Sequence, residues 1–305
     1  MVVIWGVNYS VIKACFADIP PQPFNALRLV IASAVFLGAI RVARRRAYEA
    51  PAAVPRTFYT ANPLTTRDRL DLLWLGIVGH LAYQFFFVGG VALTSVSNAA
   101  LIIGATPVVI MVISAALGRD RVSLLHWIGA AISGLGIYFV VGHGASFGGA
   151  TFKGDALVMI SVGCWAAYTL GAGRLMARHS PLYVTGITMV TGGIPYVLLA
   201  LPQMLRVNWS HVHVWTWIAL VLSALLALCL AYTIWYAAVQ RIGPSRTSIY
   251  SNLVPLVAMT AAALILHEPV SGVKIAGAAA VLTGVFLTRL ARPSGRPPST
   301  GQAGS

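Results

Sequence analysis

Residues 94–141, TSVSNAALIIGATPVVIMVISAALGRDRVSLLHWIGAAISGLGIYFVV, and residues 242–289, IGPSRTSIYSNLVPLVAMTAAALILHEPVSGVKIAGAAAVLTGVFLTR, align without a gap at an offset of 148, and 11 of the 48 pairs are identical. The identities include Pro107 with Pro255, Met111 with Met259, Val122 and Ser123 with Val270 and Ser271, Gly129 with Gly277, and Gly136 with Gly284; Asp120 coincides with Glu268. Shared apolar composition yields some identities, but it does not align a proline inside each apolar run and an acid after each. The chain is an internal duplication, and a duplication of apolar runs points to a membrane protein made of two repeats.

Composition agrees. With 58% hydrophobic residues, 9% charged residues and a mean hydropathy of +0.81, a chain of 305 residues has too much apolar surface for a water-soluble core. Lipid must be its solvent. The apolar runs are continuous and about 20 residues long, without the alternation of a barrel strand, so helices must satisfy the backbone. The expected fold is an all-α membrane protein of ten transmembrane helices, arranged as two inverted five-helix repeats. The net charge of +14 invites a nucleic-acid reading, but the basic residues sit in short loops between apolar spans, which is a topology signal. No nucleic-acid partner is expected. Cys15, Cys164 and Cys229 fall inside spans with no CxxC or Cys/His spacing, so no metal and no cofactor are expected. The first apolar segment lacks a basic leader and runs into another span, unlike a cleavable signal.

Helices are expected near residues 1–17, 24–44, 71–93, 96–117, 123–142, 154–173, 182–202, 214–238, 244–266 and 271–290. The first repeat then covers 1–142 with a cytoplasmic connection at 45–69, and the second covers 154–290. A Gly-, Ser- and Pro-rich tail at 291–305 reads as disordered. The first span is short for a bilayer and its apolar sequence already begins at Met1, which leaves room for a start further upstream. With the N-terminus placed in the cytoplasm, the inner segments carry sixteen Arg and Lys residues against three outside, with Lys13 and Arg28 inside spans. That bias places both termini in the cytoplasm and the chain in a bacterial inner membrane. Five spans per repeat is an odd number, so the second copy enters from the opposite side.

Four passages resemble the drug/metabolite transporter superfamily, in its ten-helix EamA-like branch. They are Trp5, Gly6, Asn8 and Lys13 followed by Ala26, Leu27 and Arg28; the run from Ala92 through Asn98 and Ala100 to Pro107 and Val108; Gln240 to Pro244 leading to Pro255; and His267, Glu268 and Pro269 followed by the Gly277 to Gly284 helix. The resemblance covers nearly the whole chain outside 45–69 and the tail. It implies export of amino acids, other metabolites or drugs, without choosing among them. Setting Trp165 against Trp5 places Lys13 opposite Gly173 and Arg28 opposite Thr188, so the basic pair belongs to one half only.

The candidate cavity residues are chosen by polarity and position. Pro107 and Pro255 each remove a backbone hydrogen bond inside a span and are read either as static bends or as parts of a gate. Near them, Asn98, Tyr250, Ser251 and Asn252 offer hydrogen bonds to a solute. Lys13 and Arg28 form either a positive site for an anionic group near the outer mouth, or snorkelling side chains paired with Asp18, Asp155 or Glu268. His80 shares one helical face with Tyr83 and Gln84, as a neutral hydrogen-bonded group or as a protonatable coupling group. The aromatic residues Trp5, Tyr9, Trp165, Tyr168, Tyr232, Trp235 and Tyr236 line a cavity or simply pack. Gly129, Ser133 and Gly136, and Gly277, Ala280 and Gly284, form small-residue faces that pack within the bundle or against a second protomer. The expected assembly is a monomer or homodimer.

All seven acids lie at helix ends or in loops, which gives no support to a proton antiporter built on a deep carboxylate. The leading expectation is a secondary transporter of a small molecule, working outward by alternating access. A polytopic enzyme acting on lipid would need an acid pair, a nucleophile with its base, or metal ligands. Asp68 and Asp71 come closest, but Arg67, Arg69 and a helix start explain them. A facilitative channel would use the same spans.

Overall fold

The computed structural model describes residues 1–50, 54–116, 124–142, 150–242, 247 and 253–290, and every regular element among them is helical. We label the helices α1 (Val2–Cys15), α2 (Pro21–Glu49), α3 (Thr66–Gly76, Ile77–Ala82 and Tyr83–Leu93 in continuous succession), α4 (Val96–Gly104), α5 (Thr106–Ala116) and α6 (Leu124–Gly142). The second half supplies α7 (Ala150–Met176), α8 (Pro181–Met204), α9 (Val214–Ser223, Ala224–Leu230 and Ala231–Ile242), α10 (Val254–Ile265) and α11 (Gly272–Leu290). Six helices are long and apolar enough to cross a membrane, and four shorter apolar helices accompany them. Their outer faces are apolar. Trp74 and Trp215, 63% and 75% exposed, stand near the ends of α3 and α9, where amphipathic rings suit a membrane interface.

Several boundaries differ from the sequence expectation for identifiable reasons. Arg41 and Arg44 to Arg46 do not end α2, because arginine is a good helix former whose head can reach water from a buried stem. Helix α3 starts at Thr66 because Thr65 and Asp68 close a capping box, the Thr65 hydroxyl accepting from Asp68 N at 3.1 Å and the Asp68 carboxylate from Thr65 N at 2.9 Å. The expected connection at 45–69 therefore shrinks. Its described part, though largely exposed, is pinned: Arg56 Nη2 and Asn62 Nδ2 donate to the carbonyls of Ala177 and Arg178, each at 2.5 Å, and Ser180 N and Leu182 N donate to Thr60 and Thr57. It straps the α2–α3 connection to the α7–α8 turn. The prolines also differ from the expectation. Pro107 and Pro255 stand in the first turns of α5 and α10, after a break at Ala105 and a cap at Leu253, where the missing N–H leaves no bond unmade.

The duplication governs the backbone well beyond the aligned stretch. At the offset of 148, the start of α3 falls on that of α9, α5 on α10, and both ends of α6 on those of α11. At an offset of 160, Pro21 at the start of α2 falls on Pro181 at the start of α8. The twelve-residue difference is divided between α2, longer than α8, and the longer connection from α2 to α3. Even an irregularity repeats: Ile77–Ala82 and Ala224–Leu230 are both π-helical, and they coincide within one residue at the offset of 148. Such turns are rare in proteins.

Contacts between the halves are reciprocal, as a two-fold relation requires. A β-carbon on Gly136 would stand 2.8 Å from the Gly277 carbonyl oxygen, and one on Gly284 would crowd the carbonyl of Gly129, so the two small-residue faces meet each other. At the helix ends, Asp18 holds His213 and Thr216, while their positional counterparts Arg178 and Asp68 meet at 3.5 Å. A residue that touches its own counterpart lies at the axis. Among the described residues such pairs include Trp5 with Trp165, Ser33 with Gly193, Gln84 with Tyr232, and Ser133 with Val281.

Candidate functional site

A cavity lies at two of these pairs, Trp5 with Trp165 and Gln84 with Tyr232, all four of which line it. It is lined by Trp5, Asn8 and Tyr9 from α1, Arg28 from α2, Tyr83, Gln84 and Phe87 from α3, Ile103 and Thr106 around the α4–α5 break, Trp165 from α7, Ala227, Leu228, Tyr232 and Trp235 from α9, and Val254 from α10. Both repeats contribute. The π-helical turns lie directly before Tyr83 and Tyr232; one extra residue in a turn rotates the rest of the helix by about 100° relative to a regular one.

The walls are aromatic and mutually braced. Trp5 meets Trp165 and Tyr232 edge-on, with ring centroids 6.1 and 6.0 Å apart, and its indole N–H donates to the Ala227 carbonyl at 3.1 Å. Tyr83 lies 5.0 Å from Trp165 and stacks on Phe87 at 5.5 Å. Polar groups are few. Gln84 Nε2 donates to Tyr232 Oη at 3.3 Å, and the Ser223 hydroxyl donates to Asn8 Oδ1 at 2.5 Å. Arg28, 1% exposed, donates from Nη1 to Asn25 Oδ1 at 2.9 Å, and its guanidinium lies 5.9 Å from the Phe24 ring centroid. Among the described lining residues, three buried polar side-chain atoms have no protein partner: Arg28 Nε, Gln84 Oε1 and Trp235 Nε1. Unsatisfied groups of this kind carry a desolvation cost until something binds them.

The other sequence candidates fall elsewhere. His80 is fully buried behind Tyr232; its Nε2 lies 3.1 Å from Tyr168 Oη, which lies 2.8 Å from the Thr188 hydroxyl, which donates to the Val184 carbonyl. That chain packs α3 against α7 and α8. Pro107 and Pro255 adjoin the lining residues Thr106 and Val254 without lining the space themselves, and the Pro255 ring fills the gap beside Gly104. Tyr250, Ser251 and Asn252 lie outside the described residues.

Lys13 and Arg28 do not form a pair. Lys13 Nζ donates to the Thr94 carbonyl, away from the cavity, and joins a second cluster. There Asp155, five residues into α7 and 2% exposed, accepts from Thr94 Oγ1 at 2.5 Å and from Asn98 Nδ2 at 3.3 Å. Glu268 accepts from Val96 N at 2.7 Å and from the Ser97 amide and hydroxyl at 3.2 and 2.9 Å. A carboxylate at the free amides of a helix start is electrostatically favoured. The cluster draws together α1, the α3–α4 junction, α7 and the α10–α11 turn. Asp155 is more deeply enclosed than its place near a helix end suggested, because α7 begins before it, at Ala150.

Sequence reasoning missed Phe87, Ile103, Thr106, Ala227, Leu228 and Val254. Phe87 was within reach, four residues from Tyr83 on the same face. Among the described residues no group of three or more His, Cys, Asp or Glu side chains could hold a metal.

The EamA-like transporter family matches residues 1–142 and 152–290. The chain belongs to that family. Its relatives include a protein of Archaeoglobus fulgidus described as an uncharacterized transporter, 27% identical over 94% of this chain and 95% of its own length. A Salmonella typhimurium protein described as a probable amino-acid metabolite efflux pump is 24% identical over 97% of this chain and 96% of its own. One solved crystal structure superposes with a TM-score of 0.66 at 19% identity, covering 95% of this chain and 94% of that one, and so shares the fold. This EamA-like chain is a multi-pass membrane transporter.

Proposed function

We propose that the chain is a secondary carrier that moves a small organic molecule outward across a bacterial cytoplasmic membrane by alternating access. The observation that carries this reading is an aromatic-walled cavity at the contact of the positional counterparts Gln84 and Tyr232, lined by both halves. A two-fold axis lying in the membrane plane has the same surroundings above and below it, so a site on that axis faces two equivalent closures. The two ends support this. One is held by Lys13, Thr94, Asp155 and Glu268, the other by the 54–65 strap on the α7–α8 turn, and each is a set of polar contacts. Outward direction accords with the efflux role named for the Salmonella relative. The charge bias of the sequence supports an orientation with both termini in the cytoplasm. An enzymatic role has no support from the cavity, whose lining offers neither an acid pair nor a nucleophile with its base.

The test is counterflow in proteoliposomes. Saturable flux of a labelled aromatic solute, accelerated by unlabelled solute on the far side, is expected; flux that never saturates and shows no trans-acceleration indicates a channel and overturns the carrier reading.

A further inference from the structure

We infer that the cavity takes aromatic organic acids, monoanions that carry a carboxylate and no basic amine. The inference rests on the carrier reading for its role in transport, and on Arg28 for its chemistry. Arginine stays charged in proteins. Arg28 is 1% exposed and lines the cavity, yet no carboxylate pairs with it among the described residues. The acids that the sequence offered as partners are engaged elsewhere: Asp18 with Thr216 and His213, Asp155 with Thr94 and Asn98, Glu268 with Val96 and Ser97. Among the described residues only Nη1 has an acceptor, Asn25 Oδ1, so one edge of the guanidinium fork is fixed while Nε has no protein partner. A buried cation in this state is destabilising for the empty protein and is relieved by an anion from outside. A carboxylate suits it, because the fork can donate two parallel hydrogen bonds.

The remaining walls choose the rest of the molecule. Trp5, Trp165, Trp235 and Tyr232 offer ring faces and edges at centroid spacings of 5.5 to 6.1 Å, a lining for a flat ring. Gln84 Oε1 is an unused acceptor beside them, which favours a ring O–H or N–H. No carboxylate lines the space, so an ammonium group would meet Arg28 with no ion-pair partner. Free α-amino acids and cationic drugs are thereby disfavoured.

Four molecules of one shape separate the possibilities: phenylacetate, phenylalanine, phenethylamine and 2-phenylethanol, titrated calorimetrically into the purified full-length chain. Phenylacetate is expected to bind at least about tenfold more tightly than the other three, as charge-assisted hydrogen bonds to one guanidinium imply. Arg28→Gln is expected to erase that preference and leave 2-phenylethanol within about twofold, Arg28→Lys to keep part of it. The melting temperature of Arg28→Gln should match or exceed that of the parent, because a strained charge has gone. Equal binding of phenylalanine and phenylacetate to the parent protein overturns the inference, whether or not the variants fold. So does equal weakening of all four ligands in Arg28→Gln. Phenylacetate binding that depends on Arg28 but gives no trans-accelerated flux keeps the ligand class and removes the carrier reading instead.

Discussion

The two halves of the cavity share a backbone and differ in chemistry. The first repeat supplies Arg28, Asn8 and Gln84; the same positions in the second hold Thr188, Tyr168 and Tyr232. Thr188 and Tyr168 do not line the space at all, since their hydroxyls are spent on each other and on the Val184 carbonyl. Where both halves present the same ring, as in Trp5 with Trp165, the two meet edge-on. What has stayed alike is whatever packing dictates: helix ends, π-helical turns and glycine contacts. What differs is the polar lining, since Arg28, Asn8 and Gln84 all come from the first repeat while rings come from both. An aromatic enclosure with its cation and amides on one side is suited to a molecule with a charged end and a flat end.

The largest effects test the likeness. Leucine at Gly136 or Gly284 would drive a side chain into the facing helix backbone, at Gly277 and Val281 in one case and Gly129 and Ser133 in the other. Overpacking against backbone that cannot yield costs about 3 kcal/mol or more. Both variants should lose folded, monodisperse protein to the same degree, and a clear difference between their melting temperatures would break the two-fold equivalence. The next effect tests the unlikeness. Exchanging the axial pair, as Gln84→Tyr with Tyr232→Gln, keeps one amide and one phenol at the axis but moves the amide to the aromatic side. Stability should change by about 1 kcal/mol or less, the worth of one neutral hydrogen bond, while affinity for a bipolar aromatic solute falls roughly tenfold. Unchanged affinity would show that the position of the amide does not orient the ligand.

The packing half of this comparison could be read before the structure. Aligned Gly129 and Gly277, Gly136 and Gly284, and the paired prolines placed the repeats, because close helix contact tolerates few residue types. Trp5, Trp165, Tyr232 and Trp235 stood out as large polar-tipped rings inside spans. The π-helical turns had no residue signature, since Ile77–Ala82 and Ala224–Leu230 share no proline or other breaker. Without them the facing of Leu228 was undetermined. The separation of Lys13 from Arg28 was equally invisible, because similar depth in two helices says nothing about which face each side chain takes. The enclosure of Asp155 depended on a helix start four residues earlier than hydropathy suggested.

A smaller effect concerns His80, which has no counterpart in the second half, where Leu228 stands. It is sealed behind Tyr232 with Nε2 on Tyr168. His80→Gln can keep that bond, so stability should fall by about 1 kcal/mol at most and the pH profile of transport should be retained. A flattened profile with intact folding would make His80 a coupling group and give the halves a second functional difference.

The smallest effect lies at the reciprocal helix ends, where Asp18 meets Thr216 and His213 while the counterpart Arg178 meets Asp68. The Asp18 carboxyl is held below its ordinary range, chiefly by the Thr216 hydroxyl donating at 2.5 Å and then by the side chain and backbone of His213. A depressed folded-state value means that the contact contributes its stability above the unfolded value of about 4 and loses it as pH falls through the lower folded value. Melting temperature should therefore decline in acid below about pH 4, and Asp18→Asn should flatten part of that decline while lowering the plateau at neutral pH slightly. Arg178→Gln, at the matching position of the other end, should lower the neutral plateau without flattening the acid limb, because it removes the cation and leaves the Asp68 carboxylate in place on its helix cap. If both variants flatten the limb equally, the two ends carry the same titrating group in effect, and the charge exchange between Asp18 and Arg178 has no consequence for how each end is held.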